Sequence, residues 1–336
     1  MVNGPTYLEM QLHGAQMKGF TVVISGAGQL GSRHLQGLST CSLPLDIYIQ
    51  DPSEGALKMS KERWLEVAVG GETPHRLSLC RTLSELPRQV DVAIVATPAD
   101  VRPQIVAEIA NQSQVSYWVL EKVLARSEEG LQRILRSVSR TGQAWVNTPR
   151  RALPWHQQIK AVLAGDRPMT LRVDGGDWGL ACNSIHFLDM FAWLTGETLE
   201  GMRTEGLDPQ WVPAKRPGNM EVVGTLDARF SGGSSVKLTA RPGDVVYAFE
   251  FTDGKHVWHM DEVAGTASRM DGLAIPGRIP YQSEVTGGLV ETLLETGNCA
   301  LPTLDQSTQM HSVFLHSLLS HWQLHVDANA TEVPIT

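Results

Sequence analysis

A run of apolar and β-branched residues, Phe20-Thr21-Val22-Val23-Ile24-Ser25, stops at Gly26-Ala27-Gly28-Gln29-Leu30-Gly31. This junction limits the fold more than any other stretch of the chain. A buried strand feeding such a turn and then a helix needs a backbone that bends tightly at Gly26. It must also stay uncovered at Gly28 and let helix lie against strand at Gly31. The free N–H groups and positive end of the following helix then form a seat for a pyrophosphate. Twenty residues past Gly31, Asp51 closes a second strand-like run, Leu45–Gln50. A carboxylate there can accept hydrogen bonds from an adenosine ribose. Glycine spacing, context and acid together predict a dinucleotide cradled by Gly26, Gly28, Gln29, Leu30, Gly31 and Asp51. Pro52, Ser53 and Glu54 follow with no adjacent arginine for a 2′-phosphate. NAD is therefore favoured over NADP, with Lys58 and Lys61 as the residues that could fold back.

The pattern of the first half continues in kind. Strand-like runs at 90–96, 116–120 and 142–146 alternate with helix-length stretches at 34–38, 54–66, 101–111 and 128–141. Strands joined by helical crossovers predict a doubly wound parallel sheet, a Rossmann domain over 20–148 preceded by an extension, 1–19. After Asn147 the pattern changes. Helices are expected at 155–164 and 183–194, with a strand at 169–174 between them. From about Met202 to Met260 the chain reads as a meander of antiparallel strands, turning at Ser231-Gly232-Gly233-Ser234 and Asp253-Gly254. Two helices close the chain, at 283–296 and 305–322. The second domain, 149–336, is thus an α/β unit with a large, mostly antiparallel open sheet.

The remaining composition mainly excludes. No apolar run is long enough to span a bilayer, and the first residues lack the basic-then-apolar pattern of a secretory signal. A net charge of −8 with no basic block argues against nucleic acid as partner. Cys41, Cys80, Cys182 and Cys299 form no CxxC pair, which fits a reducing cytoplasm and no structural zinc. His311, His316, His321 and His325 do not share one helical face, and no metal site is expected there.

Three further segments follow in order: Ala96-Thr97-Pro98, Leu120-Glu121-Lys122-Val123, and Ala181-Cys182-Asn183-Ser184-Ile185-His186-Phe187-Leu188-Asp189. With the glycine motif, they resemble the glucose–fructose oxidoreductase, inositol dehydrogenase and MocA family over nearly the whole chain after Gly19. Asn147 to Arg151, with Pro154 beyond, is similar to that family's crossing into its second domain. The resemblance implies an NAD(P)-dependent oxidoreductase acting on a secondary alcohol of a sugar, sugar nucleotide or cyclitol. It implies Lys122 and His186 as acid/base residues, and Ala96, Thr97, Pro98, Glu121 and Lys122 beside the cofactor. Arg151 falls in the segment bordering the substrate; Trp178, Asn183 and His186 are its other expected contacts. It further implies a homo-oligomer paired through the open sheet.

The residues on their own chemistry admit plainer roles. Lys122 reads also as an exposed strand-end lysine, His186 as a core or capping histidine, Arg150 and Arg151 as a solvated pair, and Trp178 as packing. The chain also departs from the pattern it resembles. Val123 stands where the family has proline, which removes the easy route to a cis peptide. Arg102 stands where a histidine often follows Thr-Pro. Cys182, four residues before His186, stands where dehydrogenases commonly carry aspartate. That exchange keeps two rivals in view: a redox-neutral elimination or epimerisation on tightly held NAD, and an inert NAD-sensing or scaffold protein. A metal held by Cys182 and His186 would need a third ligand, and the sequence offers none.

Overall fold

The computed structural model describes residues 19–68, 74–165, 168–243 and 247–336. The expected extension lies outside them, apart from Gly19. Six parallel strands form the first sheet: β1 (Phe20–Ser25), β2 (Leu45–Gln50), β3 (Arg76–Cys80), β4 (Gln89–Val95), β5 (Gln114–Leu120) and β6 (Gln143–Val146). Their order is β3-β2-β1-β4-β5-β6. Crossovers run through α1 (Gln29–Leu38), α2 (Glu54–Val67), α3 (Arg102–Gln112) and α4 (Glu128–Val138). Val22, Val23 and Ile24 of β1 are fully buried, as expected of a central strand covered on both faces. Local chemistry fixes the helix starts: Ser53 accepts the Ala56 N–H ahead of α2, and Ser127 accepts the Gly130 N–H ahead of α4. The strand order reverses between β1 and β4, and the crevice beyond their carboxyl ends is where this architecture places ligands.

Beyond α5 (Pro154–Ala161), β7 (Thr170–Gly175) and α6 (Leu180–Thr195), the chain builds the second sheet. Its strands β8 (Leu199–Leu207), β11 (Gly224–Phe230), β12 (Ser235–Ala240), β13 (Ala248–Thr252), β14 (Val257–Asp261), β15 (Thr266–Arg269) and β16 (Ala274–Pro276) join β7 in the order β16-β15-β14-β13-β7-β12-β11-β8. A two-stranded hairpin, β9 (Val212–Pro213) with β10 (Met220–Glu221), stands apart. The sheet is not the plain meander expected. β7 inserts between two hairpins, parallel to β12 and antiparallel to β13. Alternation explains its place: Leu171 and Val173 face inward with Val236 and Leu238 of β12, so the strand extends one apolar face. That face packs on α6, which carries Ile185, Phe187, Leu188 and Phe191 into the core.

The closing helices, α7 (Gln282–Thr296) and α8 (Leu304–His325), return toward the first sheet. Val290 and Leu293 of α7 join Ile24, Leu35 and Ile47 in one apolar cluster, so a C-terminal helix helps to cover the Rossmann sheet. The last residues bond back as well: the Val333 N–H reaches the Arg126 carbonyl, and Met220 donates to the Pro334 carbonyl.

Candidate active site

The glycine turn is built by exclusion of side chains. Gly26 has φ of 95°, and a Cβ there would lie 2.9 Å from the Ala96 carbonyl carbon. A Cβ on Gly31 would lie 1.7 Å from the Gly26 carbonyl oxygen. A Cβ on Gly28, by contrast, would meet nothing within 4 Å. Gly28 is the N-cap of α1 and supplies no side-chain cap, so the first N–H groups of the helix face open space. Asp51 stands at the edge of this space. Its Oδ2 accepts the Ala27 N–H at 2.8 Å and its Oδ1 accepts the Ser53 N–H at 2.8 Å. Gln29 is tied to α2 through Arg63, which donates to Gln29 Oε1 at 2.7 Å. Lys58 and Lys61 are exposed on the same helix.

At the end of β4, Thr97 is buried with its hydroxyl unpartnered, and Pro98 is exposed. Arg102 is 1% exposed and takes a role the sequence did not suggest. Its guanidinium donates to the Thr97, Val123 and Leu124 carbonyls, tying the β4 and β5 loops together. Burial, with Arg216 nearby, draws its pKa down to about 10 despite Glu121 and Asp100. The Lys122–Val123 peptide is cis although Val123 is not proline, so the expected consequence of that exchange is not observed.

Glu121 turns away from solvent. It accepts His34 Nε2 at 2.9 Å and Asn147 Nδ2 at 2.5 Å, and Asn147 also donates to Gln282 Oε1 at 2.9 Å. Burial pushes its carboxyl up, but His34 and Asn147 outweigh that and hold it below the ordinary range. Glu121 thus locks α1, β5, β6 and α7 around the site.

Lys122, next in sequence, points the other way. Its Nζ donates to the Cys182 carbonyl and to Asn183 Oδ1, both at 3.1 Å. Burial lowers its pKa, and Arg216 and Arg102 lower it further, against the pull of Cys182 and Glu121. Asn183 is fixed in turn by donating to the Trp178 carbonyl at 2.8 Å. Trp178 is fixed by its Nε1–H on the Thr239 carbonyl at 2.9 Å and by edge contact with Phe187. Lys122, Asn183, Trp178, Leu30 and Thr97 line one cavity of about 380 Å³.

His186, one turn beyond Cys182 on α6, does not line that cavity. Its Nδ1 is buried without a partner, and burial together with Lys122 and Arg150 holds the imidazole well below its usual pKa. It is neutral at working pH. Arg151, an expected substrate contact, is engaged within the protein. It makes a bidentate pair with Asp189, at 3.1 and 2.7 Å, and is not among the cavity residues. Arg150 is likewise engaged, with Glu262 at 2.8 Å through both nitrogens and over the Phe187 ring at 4.4 Å. Neither is a solvated arginine.

One carboxylate in the cavity escaped the sequence reading. Glu221 of β10 lines the cavity and is 8% exposed. Its oxygens accept the Ala181 N–H at 2.8 Å and the Cys182 N–H at 3.1 Å, capping the start of α6. Burial pushes the Glu221 carboxyl up, and the Cys182 thiol is pushed up to about 12 by burial and by Glu221. The only warning in the sequence was Pro217-Gly218, a turn signal before Glu221. Thr336 also lines the cavity, with its hydroxyl accepting the Ala99 N–H at 3.1 Å.

No family model matches the chain, and no curated protein matches it. Solved structures do. An oxidoreductase from Agrobacterium radiobacter, in complex with NAD+, L-tartaric acid and magnesium, aligns with a TM-score of 0.69 at 14% identity, over 93% of this chain and 97% of that one. The chain has that fold. UDP-N-acetylglucosamine 3-dehydrogenase from Acidithiobacillus ferrooxidans aligns at 0.66 and 17% identity, over 93% and 99%. Scyllo-inositol dehydrogenase from Lactobacillus casei, with bound NAD(H) and scyllo-inositol, aligns at 0.64 and 13%, over 90% and 97%. A six-stranded parallel sheet followed by a mixed, mostly antiparallel one is the architecture expected from the resemblance.

Proposed function

We propose that the chain is an NAD(P)-dependent oxidoreductase of the glucose–fructose oxidoreductase, inositol dehydrogenase and MocA family. Its substrate is the secondary alcohol, or matching ketone, of a sugar, sugar nucleotide or cyclitol. One observation carries the reading. A desolvated lysine sits in a cavity whose one wall is the ligand-binding edge of a dinucleotide fold and whose other wall is aromatic and polar. The named ligands of the solved structures, NAD and scyllo-inositol among them, suit such a cavity.

Gly26 to Gly31 would seat the pyrophosphate, and Asp51 the adenosine ribose. Asp51 beside the Ala27 amide favours NAD over NADP; the exposed Lys58 and Lys61 are the cations that NADP would need. The nicotinamide ring supplies the hydride acceptor. Lys122 takes the hydroxyl proton: two of its three positions are held by the Cys182 carbonyl and Asn183, and the third is free for a substrate oxygen. Its lowered pKa makes the neutral amine accessible at a lower pH than an exposed lysine allows. His186, held well below its usual pKa by burial and by Lys122, is neutral and leaves Lys122 as the base.

The test is NADH formation with a panel of polyols, alongside titration of NADH and NADPH. Lys122→Ala should keep coenzyme binding and lose about 10² or more of turnover. In the wild type, oxidation should speed up as pH rises, with a midpoint below that of an exposed lysine. Near-wild-type turnover by Lys122→Ala would remove it from the chemistry. Turnover of a sugar without net NADH would favour the redox-neutral reading, and NADPH binding as tightly as NADH would overturn the NAD assignment.

A further inference from the structure

The loop of the β9–β10 hairpin brings Lys215 and Arg216 to the rim of the cavity that holds Lys122. Both side chains are exposed, and among the described residues neither has a hydrogen bond or ion pair. The arginines around them behave differently. Arg102 is spent on three carbonyls, Arg126 on Asn219 with Asp100 and Glu332, Arg150 on Glu262, and Arg151 on Asp189. A chain of net charge −8, with 36 acidic side chains against 28 lysines and arginines, has acids to spare for such pairs. Asp177 and Glu221 share the lining but pair with neither cation, so the two exposed charges at the cavity rim remain open to an incoming anion.

Resting on the oxidoreductase reading, we propose that Lys215 and Arg216 bind an anionic group, carboxylate or phosphate, on the substrate. The substrate is then a sugar acid, sugar phosphate or nucleotide sugar rather than a neutral polyol. The guanidinium fork of Arg216 matches either anion bidentately, and Lys215 adds a mobile point charge. Trp178 offers an apolar wall for the ring, and Asp177, exposed in the same lining, offers an acceptor for ring hydroxyls. The dinucleotide's own phosphates are the competing source of negative charge. Of the glycine turn only Leu30 reaches this cavity, and Gly28 is not in its lining. The hairpin cations instead share their cavity with Lys122, Cys182 and Asn183.

The experiment is a calorimetric titration of the full chain, with and without NADH. The probes are D-glucuronate, glucose 6-phosphate and UDP-N-acetylglucosamine, each against its neutral parent, glucose or N-acetylglucosamine. At least one acidic probe should bind about tenfold or more tightly than its parent, equivalent to about 1.4 kcal/mol. Which probe does so separates carboxylate from phosphate. The double variant Lys215→Glu/Arg216→Glu should erase that preference, Lys215→Gln/Arg216→Gln should reduce it, and NADH affinity should hold within about twofold in both. The proposal falls if no acidic probe outbinds its parent. It falls equally if the charge reversal weakens NADH as much as the probe, because the cations then serve the dinucleotide. Failure of the wild type to bind NADH at all would instead sink the oxidoreductase reading, while the titrations without NADH still judge the hairpin.

Discussion

The two sides of the candidate site, the glycine turn and the cavity beside it, are made in opposite ways. On the Rossmann side, the seat is backbone drawn from a few consecutive residues, and its shape depends on what Gly26, Gly28 and Gly31 lack. On the other side, the wall is side chains from separate parts of the chain: Asn183 and Cys182 from α6, Glu221 from β10, Lys215 and Arg216 from a hairpin loop. A seat made of backbone has no cheap way to relax around an added atom. A wall made of side chains can be altered one group at a time, so the first should fail all at once and the second by degrees.

Two glycine substitutions sharpen this contrast most. Gly31→Ala places a methyl 1.7 Å from the Gly26 carbonyl oxygen, which belongs to a backbone already fixed by the Gly26 amide on the Gln50 carbonyl. Overpacking of this kind costs about 3 kcal/mol or more, and thermal melting should show it. Gly28→Ala meets open space, with φ of −67° that alanine accepts. It should melt within about 0.5 kcal/mol of wild type yet lose dinucleotide affinity, because the methyl occupies the seat. A Gly31→Ala protein of normal stability would show that helix and turn can separate, and the contrast between the walls would collapse.

Legibility in the sequence follows the same division. The glycine turn, Asp51 and the strand–helix alternation are local, so six residues in a row carried most of the argument. β3 was missed because Arg76–Cys80 is a short edge strand, mostly solvent-facing and without a clear apolar alternation. The place of β7 was missed because pairing between residues more than sixty apart leaves no trace in either strand. The partner of Arg151 was hidden for a related reason. Its segment resembles one that borders a substrate, but its partner Asp189, 38 positions on, could be assigned only in three dimensions. Cys182 stands out in the sequence only against the pattern the chain resembles. The carboxylate that stands beside it, Glu221, comes from another strand, 39 residues away.

The second domain contains its own comparison, with an effect of similar or smaller size. Arg150 and Arg151 are neighbours in sequence, yet their acids shift in opposite directions. Burial raises Glu262, but Arg150 and His156 outweigh it and hold the carboxyl at about 2. Burial raises Asp189 to about 6, more than Arg151 and Thr148 give back. Glu262 therefore contributes stability that is complete above the ordinary glutamate range and lost as pH falls toward 2. Asp189 has the reverse sign: ionised above pH 6 it costs stability, and that cost is relieved as pH falls from 6 toward its unfolded value. Glu262→Gln strands the Arg150 charge and should cost about 3 kcal/mol at neutral pH, with the gap to wild type closing in acid. Relative to Asp189→Asn, the wild type should gain stability as pH falls from 6 to 4. Melting temperatures across this range decide it, and parallel profiles would mean that Asp189 behaves as an ordinary ion-pair partner.

The smallest effect belongs to Cys182, at the position where the sequence departs from its resemblance. A thiol pushed up to about 12 is neutral at any working pH, so it cannot stand in for a carboxylate or hold an imidazolium. What it can do is donate weakly to Glu221, whose oxygens already accept two amides at the head of α6. Serine keeps the size and the donor. Cys182→Ser should therefore stay within about tenfold of wild-type kcat/KM, since a hydrogen bond from such a neutral donor is worth about 1 kcal/mol. The thiol itself gives a second readout that needs no substrate: iodoacetamide, followed by peptide mapping at pH 8, should label Cys182 far more slowly than a free thiol of ordinary pKa. Rapid labelling would mean that the thiolate is populated and that burial does not govern this group. Loss of turnover in Cys182→Ser, matched by loss on adding a chelator to wild type, would reinstate a metal at Cys182 and His186 and overturn the roles given to both walls.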